Sequence, residues 1–297
     1  MNIVGAYACS HAGLIVTRRD LAPTGQRDDV FAAYATVRDE IERLRPDAIV
    51  IVATDHMQAY PLGNVAAFAI GVGPVAVGVG DAGIDPCKVP VHQPLAQAIL
   101  AEGVNRGVDF VFSEDVSIDH SFVMPLSLLT PRLDVPIVPV TQNCNVPPRP
   151  TFSRSHEVGR VIGEAIRSGP AGRAVVIGTG GLSHWVGDEA RRAFMNRPPG
   201  TRLPDLAAHP VRLDDTGPIN AKFDRGFLQA MERGAARAFI REWPSERVEE
   251  EAGNGAHEIR NWLTGAAIVG DAPAQVLSYQ SVAEWLTGTA VVRFQTG

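Results

Sequence analysis

The sequence predicts an α/β protein: one core domain spanning residues 1–297, with a mixed central sheet flanked by helices and a helical C-terminal portion packed against it. Three observations carry that prediction. Short apolar runs rich in Val, Ile and Ala recur as far as Gly178, each bounded by turn residues. Segments with helical spacing alternate with them, the order expected of strands joined by crossover helices. Beyond Gly187 the helical patterns dominate.

The strands are expected at Ile3–Cys9, Ala48–Ala53, Val65–Ile70, Asp109–Phe112, Pro136–Val140 and Ala174–Gly178. Helical spacing covers Asp29–Leu44, Gln93–Arg106 and Ser155–Arg167 between them. A polar, proline-rich stretch follows from Asn196 to Pro218. Helices are then expected at Asn220–Arg233, Ala235–Arg241 and Ala256–Val269. No internal repeat or long linker interrupts the chain, so the helical end reads as a layer on the sheet.

Pro61–Gly80 carries no charge over a length that would span a bilayer. Pro74 and five glycines break it, and Asp81 ends it, so buried strands with glycine turns are the better reading. Of the 297 residues, 45% are apolar and 20% charged, enough apolar surface for a full core. The net charge of −6 speaks against a nucleic-acid partner, which calls for a basic face. Cys9, Cys87 and Cys144 are too scattered for a disulfide framework or a cysteine zinc site. With no charged region ahead of the first apolar run, the expected location is the cytoplasm.

The histidines are the most informative residues. His11, His56 and His184 each follow a predicted strand, and ligands of open α/β sheets bind at the carboxyl ends of strands. Any one alone reads as a hydrogen-bonded loop histidine; three strands ending alike point to convergence. Asp55, beside His56, is a candidate to fix a histidine tautomer. His120, after Asp119, is the fourth candidate, with a satisfied core histidine as the plain alternative. The Gly178–His184 stretch, GTGGLSH, lacks the full dinucleotide fingerprint, so no nucleotide cofactor is expected.

A carboxylate comes late. Gly253-Asn254-Gly255 interrupts an acidic run and opens a helix, with Asn254 as the expected N-cap. Ile259, Trp262, Leu263 and Ala266 form the buried stripe of that helix, and Glu258 stands at its edge. A carboxylate there is costly unless it is paired or binds a metal, although a first-turn glutamate also suits the helix dipole. Two imidazoles and one carboxylate with open positions make the facial triad of non-haem Fe(II) oxygenases; His11, His56 and Glu258 would supply it. A two-histidine, one-carboxylate zinc hydrolase stays open on the same residues. His120 and His184 would then be free to move protons. His257 points about 100° away from Glu258 on a helix and is expected to face elsewhere. His92, His156 and His209 read as surface or structural residues. Arg260 and Arg225 are candidates for a substrate carboxylate.

Taken together, CSHAGL at Cys9, TDHMQAY at Thr54, VPVHQPLA at Val89, IDHSFVMPL at Ile118, GTGGLSH at Gly178, NAKFDRGFL at Asn220, AGNGAHEIRNW at Ala252 and EWLTG at Glu284 resemble the class III extradiol ring-cleavage dioxygenases. That group includes the catalytic subunit of protocatechuate 4,5-dioxygenase. The likeness is greater to its single-chain members that open carboxyalkyl catechols such as 2,3-dihydroxyphenylpropionate. It runs through nearly the whole chain in the same order. It implies Fe(II) held by His11, His56 and Glu258, with His120 and His184 as the acid–base pair. It implies a catechol and O2 as reactants and a 2-hydroxymuconic semialdehyde-type product. Gallate, protocatechuate, an aminophenol or a biphenyl diol are alternative substrates, and a non-catalytic binding protein is an alternative of another class. Some relatives need a small helical partner subunit; this chain carries its own helical portion, so a self-sufficient homo-oligomer is expected. Two residues depart from the pattern: Ser121 follows His120 where relatives have glycine, and Thr54 stands where they have proline or asparagine.

Overall fold

The computed structural model describes residues 1–187 and 217–296. In chain order its strands are β1 (Asn2–Cys9), β2 (Ala48–Ala53), β3 (Phe68–Gly71), β4 (Val75–Gly78), β5 (Cys87–Pro90), β6 (Val111–Ser113), β7 (Val116–Ile118), β8 (Ile137–Gln142), β9 (Arg173–Thr179), β10 (Ala274–Val282) and β11 (Thr287–Phe294). The helices are α1 (Leu14–Thr17), α2 (Thr24–Leu44), α3 (Gln93–Asn105), α4 (His120–Leu129), α5 (Phe152–Ser168), α6 (Ala221–Glu232), α7 (Ala236–Glu242), α8 (Ser245–Ala252) and α9 (Ile259–Ile268). The main sheet runs β10-β11-β1-β9-β2-β8-β3-β6, and β5-β4-β7 form a second, small sheet.

Strand β2, AIVIVA, is buried at every position, as a strand covered on both faces must be. Its alternate residues enter different layers. Ala48, Val50 and Val52 join Ala6, Ala8 and Val176 under α3, α5 and α9. Ile49, Ile51 and Ala53 join Tyr7, Val175 and Ile177 under α2, α4 and the small sheet. On the first face α5 and α9 approach closely. A Cβ on Gly159 would lie 2.4 Å from the Thr264 carbonyl oxygen, and one on Gly163 would lie 2.4 Å from that of Ile268. Only glycine permits backbones so near.

The fold adds detail to two expectations. The C-terminal portion is not wholly helical: β10 and β11 form an antiparallel hairpin that extends the main sheet beyond β1. The uncharged Pro61–Gly80 stretch does form strands, but β4 leaves the main sheet and pairs with β5 and β7. No helix among the described residues is long and apolar enough to cross a membrane. The Asn196–Pro218 stretch falls largely, and His209 wholly, outside the described residues.

Because β1, β9, β2 and β8 run parallel, their carboxyl ends lie along one edge. The chain leaves β1 into Ser10-His11, β2 into Thr54-Asp55-His56, and β9 into Gly180–His184. β7 brings Asp119 and His120 to the same edge from the small sheet.

Candidate metal centre and acid–base pair

Three side chains converge on the carboxylate of Glu258. His11 Nε2 lies 3.1 Å from Oε2, His56 Nε2 lies 3.2 Å from Oε1, and His184 Nε2 lies 3.9 Å from Oε2. The Gly181 amide also donates to Oε2, at 2.6 Å. Glu258 sits at the end of a 3-10 turn, Asn254–Glu258, that leads into α9. Trp262 on α9 donates to the Gly180 carbonyl at 3.0 Å and Asn261 donates to that of Thr179 at 2.6 Å. These bonds fix the glutamate over the end of β9. Burial alone would push the Glu258 carboxyl up, yet the group is held well below the usual carboxylate range, with His56, whose Nε2 proton faces Oε1, among the causes.

The partners of the histidines set their tautomers. Thr179 Oγ1 donates to the Ser121 carbonyl at 2.9 Å, so its oxygen is left to accept from His11 Nδ1, also at 2.9 Å. The proton of His11 therefore sits on Nδ1 and Nε2 presents a bare lone pair to Glu258. That Nε2 atom is buried and has no hydrogen-bond partner. Burial lowers the His11 pKa, so the ring does not resolve the conflict by charging. A lone pair facing a carboxylate is resolved by a cation between them, and neutral imidazole with carboxylate is a donor set suited to a divalent metal.

His56 is gripped by Asp119, which accepts from its backbone N–H at 2.6 Å and from Nδ1 at 3.0 Å. Although burial opposes charging, Asp119 and Glu258 raise the His56 pKa well above its ordinary value. The proton that His56 holds between two carboxylates is the one a metal would displace. Asp119 itself is pulled below the carboxylate range, burial notwithstanding, by His56, His120 and Ser121.

Asp55, the candidate tautomer partner, does not hold His56. Its carboxylate instead accepts from the backbone N–H groups of Gln58, Ala59 and Tyr60, folding the loop after His56. Asn254 likewise makes no helix cap: its side-chain amide brackets Val186, accepting from the N–H at 2.9 Å and donating to the carbonyl at 3.2 Å.

The two departures from the family pattern meet each other. Ser121 Oγ lies 2.5 Å from the Thr54 carbonyl oxygen and 2.5 Å from Asp119 Oδ1. Ser121 thus stands behind both histidines: through its carbonyl and Thr179 behind His11, and through its hydroxyl and Asp119 behind His56.

His120 stacks on His56, with ring centroids 4.2 Å apart, and meets His11 edge-on at 5.9 Å. His184 Nδ1 lies 2.9 Å from the Leu182 carbonyl and donates to it, which leaves Nε2 facing Glu258. Behind His184 stands Asp224, a residue to which the sequence assigned no role. It accepts from the Ser183 N–H and hydroxyl, each at 2.8 Å, and from the Tyr279 hydroxyl at 2.9 Å.

His257 does turn from the centre: its Nε2 bonds Glu249 at 2.8 Å, and burial pushes its pKa down to about 4. His92 caps α3 and His156 pairs with Asp271. Arg260 is not placed to hold a substrate. It is buried, donates to the Pro150 and His257 carbonyls and to Ser245 Oγ, and lies over Phe152. Arg225 is exposed over the ring of Tyr279.

Residues 5–294 match the family described as the catalytic LigB subunit of aromatic ring-opening dioxygenase. The chain belongs to this family. It is 32% identical to a 2,3-dihydroxyphenylpropionate/2,3-dihydroxicinnamic acid 1,2-dioxygenase of Rhodococcus jostii, over 97% of each chain. A protein of the same description from Photorhabdus laumondii is 29% identical over 92% of each. An uncharacterized Escherichia coli K12 protein of known structure matches with a TM-score of 0.52 at 12% identity, covering 89% of this chain and 92% of that one, which speaks to fold alone. This chain is thus an extradiol ring-cleaving dioxygenase of aromatic catabolism.

Proposed function

We propose that this dioxygenase cleaves a carboxyalkyl-substituted catechol such as 2,3-dihydroxyphenylpropionate, using Fe(II) and O2, to a 2-hydroxymuconic semialdehyde-type product. The observation that carries the reading is His11 Nε2: buried, unpartnered and 3.1 Å from a carboxylate oxygen. With His56 and Glu258 it offers ligand atoms that all lie within 4.8 Å of one another. We assign these three as the iron ligands and His120 and His184 as the acid–base pair. The substrate side chain is proposed from the relatives' activity.

Bound Fe(II) would supply a Lewis acid for the catechol oxygens and an electron path between ring and dioxygen. The chain's residues do the remaining work. His184 Nε2, whose Nδ1 is occupied by the Leu182 carbonyl, is the principal base for a catechol hydroxyl proton. His120, stacked on His56, returns a proton as the acid partner. The stacked imidazole faces of His56 and His120 wall one side. Residues 1–297 act as one catalytic domain, without a partner subunit, in a homo-oligomer. Three free cysteines, two of them buried, suit the reducing cytoplasm.

Oxygen uptake and absorbance spectra test this on protein loaded anaerobically with Fe(II). The panel is 2,3-dihydroxyphenylpropionate, protocatechuate, gallate and plain catechol. Stoichiometric uptake with a yellow, pH-sensitive product is expected, fastest on 2,3-dihydroxyphenylpropionate. A faster rate on another ring overturns the substrate; no uptake on any, with zinc held tightly, overturns the chemistry.

A further inference from the structure

Asp81 ends the uncharged stretch Pro61–Gly80 and has had no role so far. It sits in a tight turn after β4, closed by the Ile84 N–H donating to its carbonyl at 2.9 Å. Left-handed backbone at Gly80, Ala82 and Gly83 makes that turn. The turn is wedged against the loop that carries His11: a Cβ on Gly13 would come within 2.8 Å of the Ala82 Cβ. Its place is therefore fixed from two sides, by its own hydrogen bond and by the first histidine loop.

From this turn the Asp81 carboxylate reaches the first residue of α4. Oδ1 accepts the backbone N–H of His120 at 2.8 Å, and Oδ2 is hydrogen-bonded to His120 Nδ1. One carboxylate thus holds both the main chain and the ring of the same residue. Two attachments fix the ring plane, since rotation about either side-chain torsion would break the second bond. A carboxylate takes a proton and offers none, so the proton of a neutral His120 ring rests on Nδ1. Nε2 is then the nitrogen left to exchange protons. Asp119 treats the neighbouring His56 in the same way, binding both its N–H and its Nδ1. His184 differs, because its Nδ1 partner is a carbonyl two residues away in its own loop.

We propose that Asp81 is the positioning residue for proton transfer by His120: it sets the ring's orientation and makes Nε2 the exchanging atom. The assignment rests on the reading of His120 as an acid–base group. Asp81 acts through His120 and does not touch the reacting ring.

Asp81→Asn tests it. The amide oxygen can keep the backbone bond of His120, but the NH2 then faces Nδ1 and drives the ring proton to Nε2. Nitrogen-15 spectra of the histidine rings report this directly in metal-free protein, with the His120 signals assigned by their loss in His120→Gln. The expected result is exchange of the Nδ1–H and Nε2–H signals in Asp81→Asn and their return in Asp81→Glu. In Fe(II)-loaded enzyme, kcat should fall about 100-fold, the lower end of what general acid–base groups contribute. KM and iron content should stay within about twofold, with part of kcat recovered in Asp81→Glu. Asp81→Asn should add no further loss to His120→Gln, because both act on one proton transfer. Unchanged ring signals overturn the proposal, as do equal losses of kcat and iron. If wild-type enzyme cleaves no catechol, the function above fails, while the ring spectra still decide the role of Asp81.

Discussion

The Cβ that Gly255 lacks would lie 2.1 Å from Nε2 of His184. His184 occupies the space of a missing side chain, and its backbone is bonded to the same segment through both its N–H and its carbonyl. Its N–H donates to the Ala252 carbonyl at 2.9 Å, and its carbonyl accepts from the Gly255 N–H at 3.1 Å. Gly255→Ala should therefore expel the imidazole while the segment remains folded, because the clashing atom is the far end of a side chain that can rotate away. Turnover should fall about 100-fold, the scale of losing one acid–base group. Iron content should stay near that of the wild type. Steady-state kinetics beside iron analysis checks both; a normal kcat would mean that His184 works from another position.

Ser121→Ala should weaken the metal centre without removing a ligand. The hydroxyl supports Asp119, which holds His56, and loss of such outer partners costs about 10-fold or more in metal affinity. The backbone carbonyl that receives Thr179 stays, so His11 should keep its tautomer. Competition with a chelator measures the effect, and an unchanged affinity would leave Ser121 as packing. Ser121→Gly, which restores the family's usual residue, should weaken binding similarly, since it too lacks the hydroxyl.

The layered α/β core and the convergence of His11, His56 and His184 were legible in the sequence, because parallel strands announce themselves as continuous apolar runs and their loops share one edge, whereas His120 and Glu258 joined them through the family resemblance. The C-terminal hairpin was not legible. Strand β10 is only partly buried, with polar Gln275, Ser278, Gln280 and Ser281, and it follows a series of strong helical patterns. Strand β11 gains its meaning from β1, nearly three hundred residues away in sequence, and no local signal reports that pairing. The partners of the histidines were missed for the same reason. Asp55 is adjacent to His56 in sequence, yet Asp119 holds it, 63 positions on. Thr54 and Ser121 stood out separately as departures; only the fold brings them into contact.

Gly288→Ala should destabilise the protein by about 2 kcal/mol, within the range for overpacking a filled interior. Gly288 closes the EWLTG stretch, and a Cβ there would lie 2.0 Å from Asp224 Oδ2. The carboxylate cannot retreat without releasing Ser183 and Tyr279. Because Ser183 precedes His184, kcat should fall along with the unfolding midpoint. Denaturant unfolding and kinetics on the same variant test the pair; loss of stability with full kcat would separate Asp224 from His184.

Asp271 offers a stability test remote from the metal. Its carboxylate accepts from His156 Nε2 on α5, at 2.8 and 3.0 Å, and from Arg237 Nε on α7 at 3.2 Å. Burial pushes its carboxyl up, but His156 and Arg237 outweigh that and lower its pKa. A carboxylate whose folded pKa is depressed stabilises the fold above its unfolded value, about 3.9, and loses that contribution as pH falls through the folded value. The backbone at Asp271 is left-handed, with φ of 58°, a conformation that asparagine tolerates, so Asp271→Asn removes charge without adding strain. At neutral pH the variant should be less stable by about 1 kcal/mol, or roughly 2–4 °C in Tm for a chain of this size. The gap should close as the pH is lowered below about 4, where the wild-type carboxylate begins to protonate in the unfolded chain and then in the folded one. Thermal unfolding of both proteins from neutral pH downward measures it. A gap that stays constant would place the contribution in packing and not in charge.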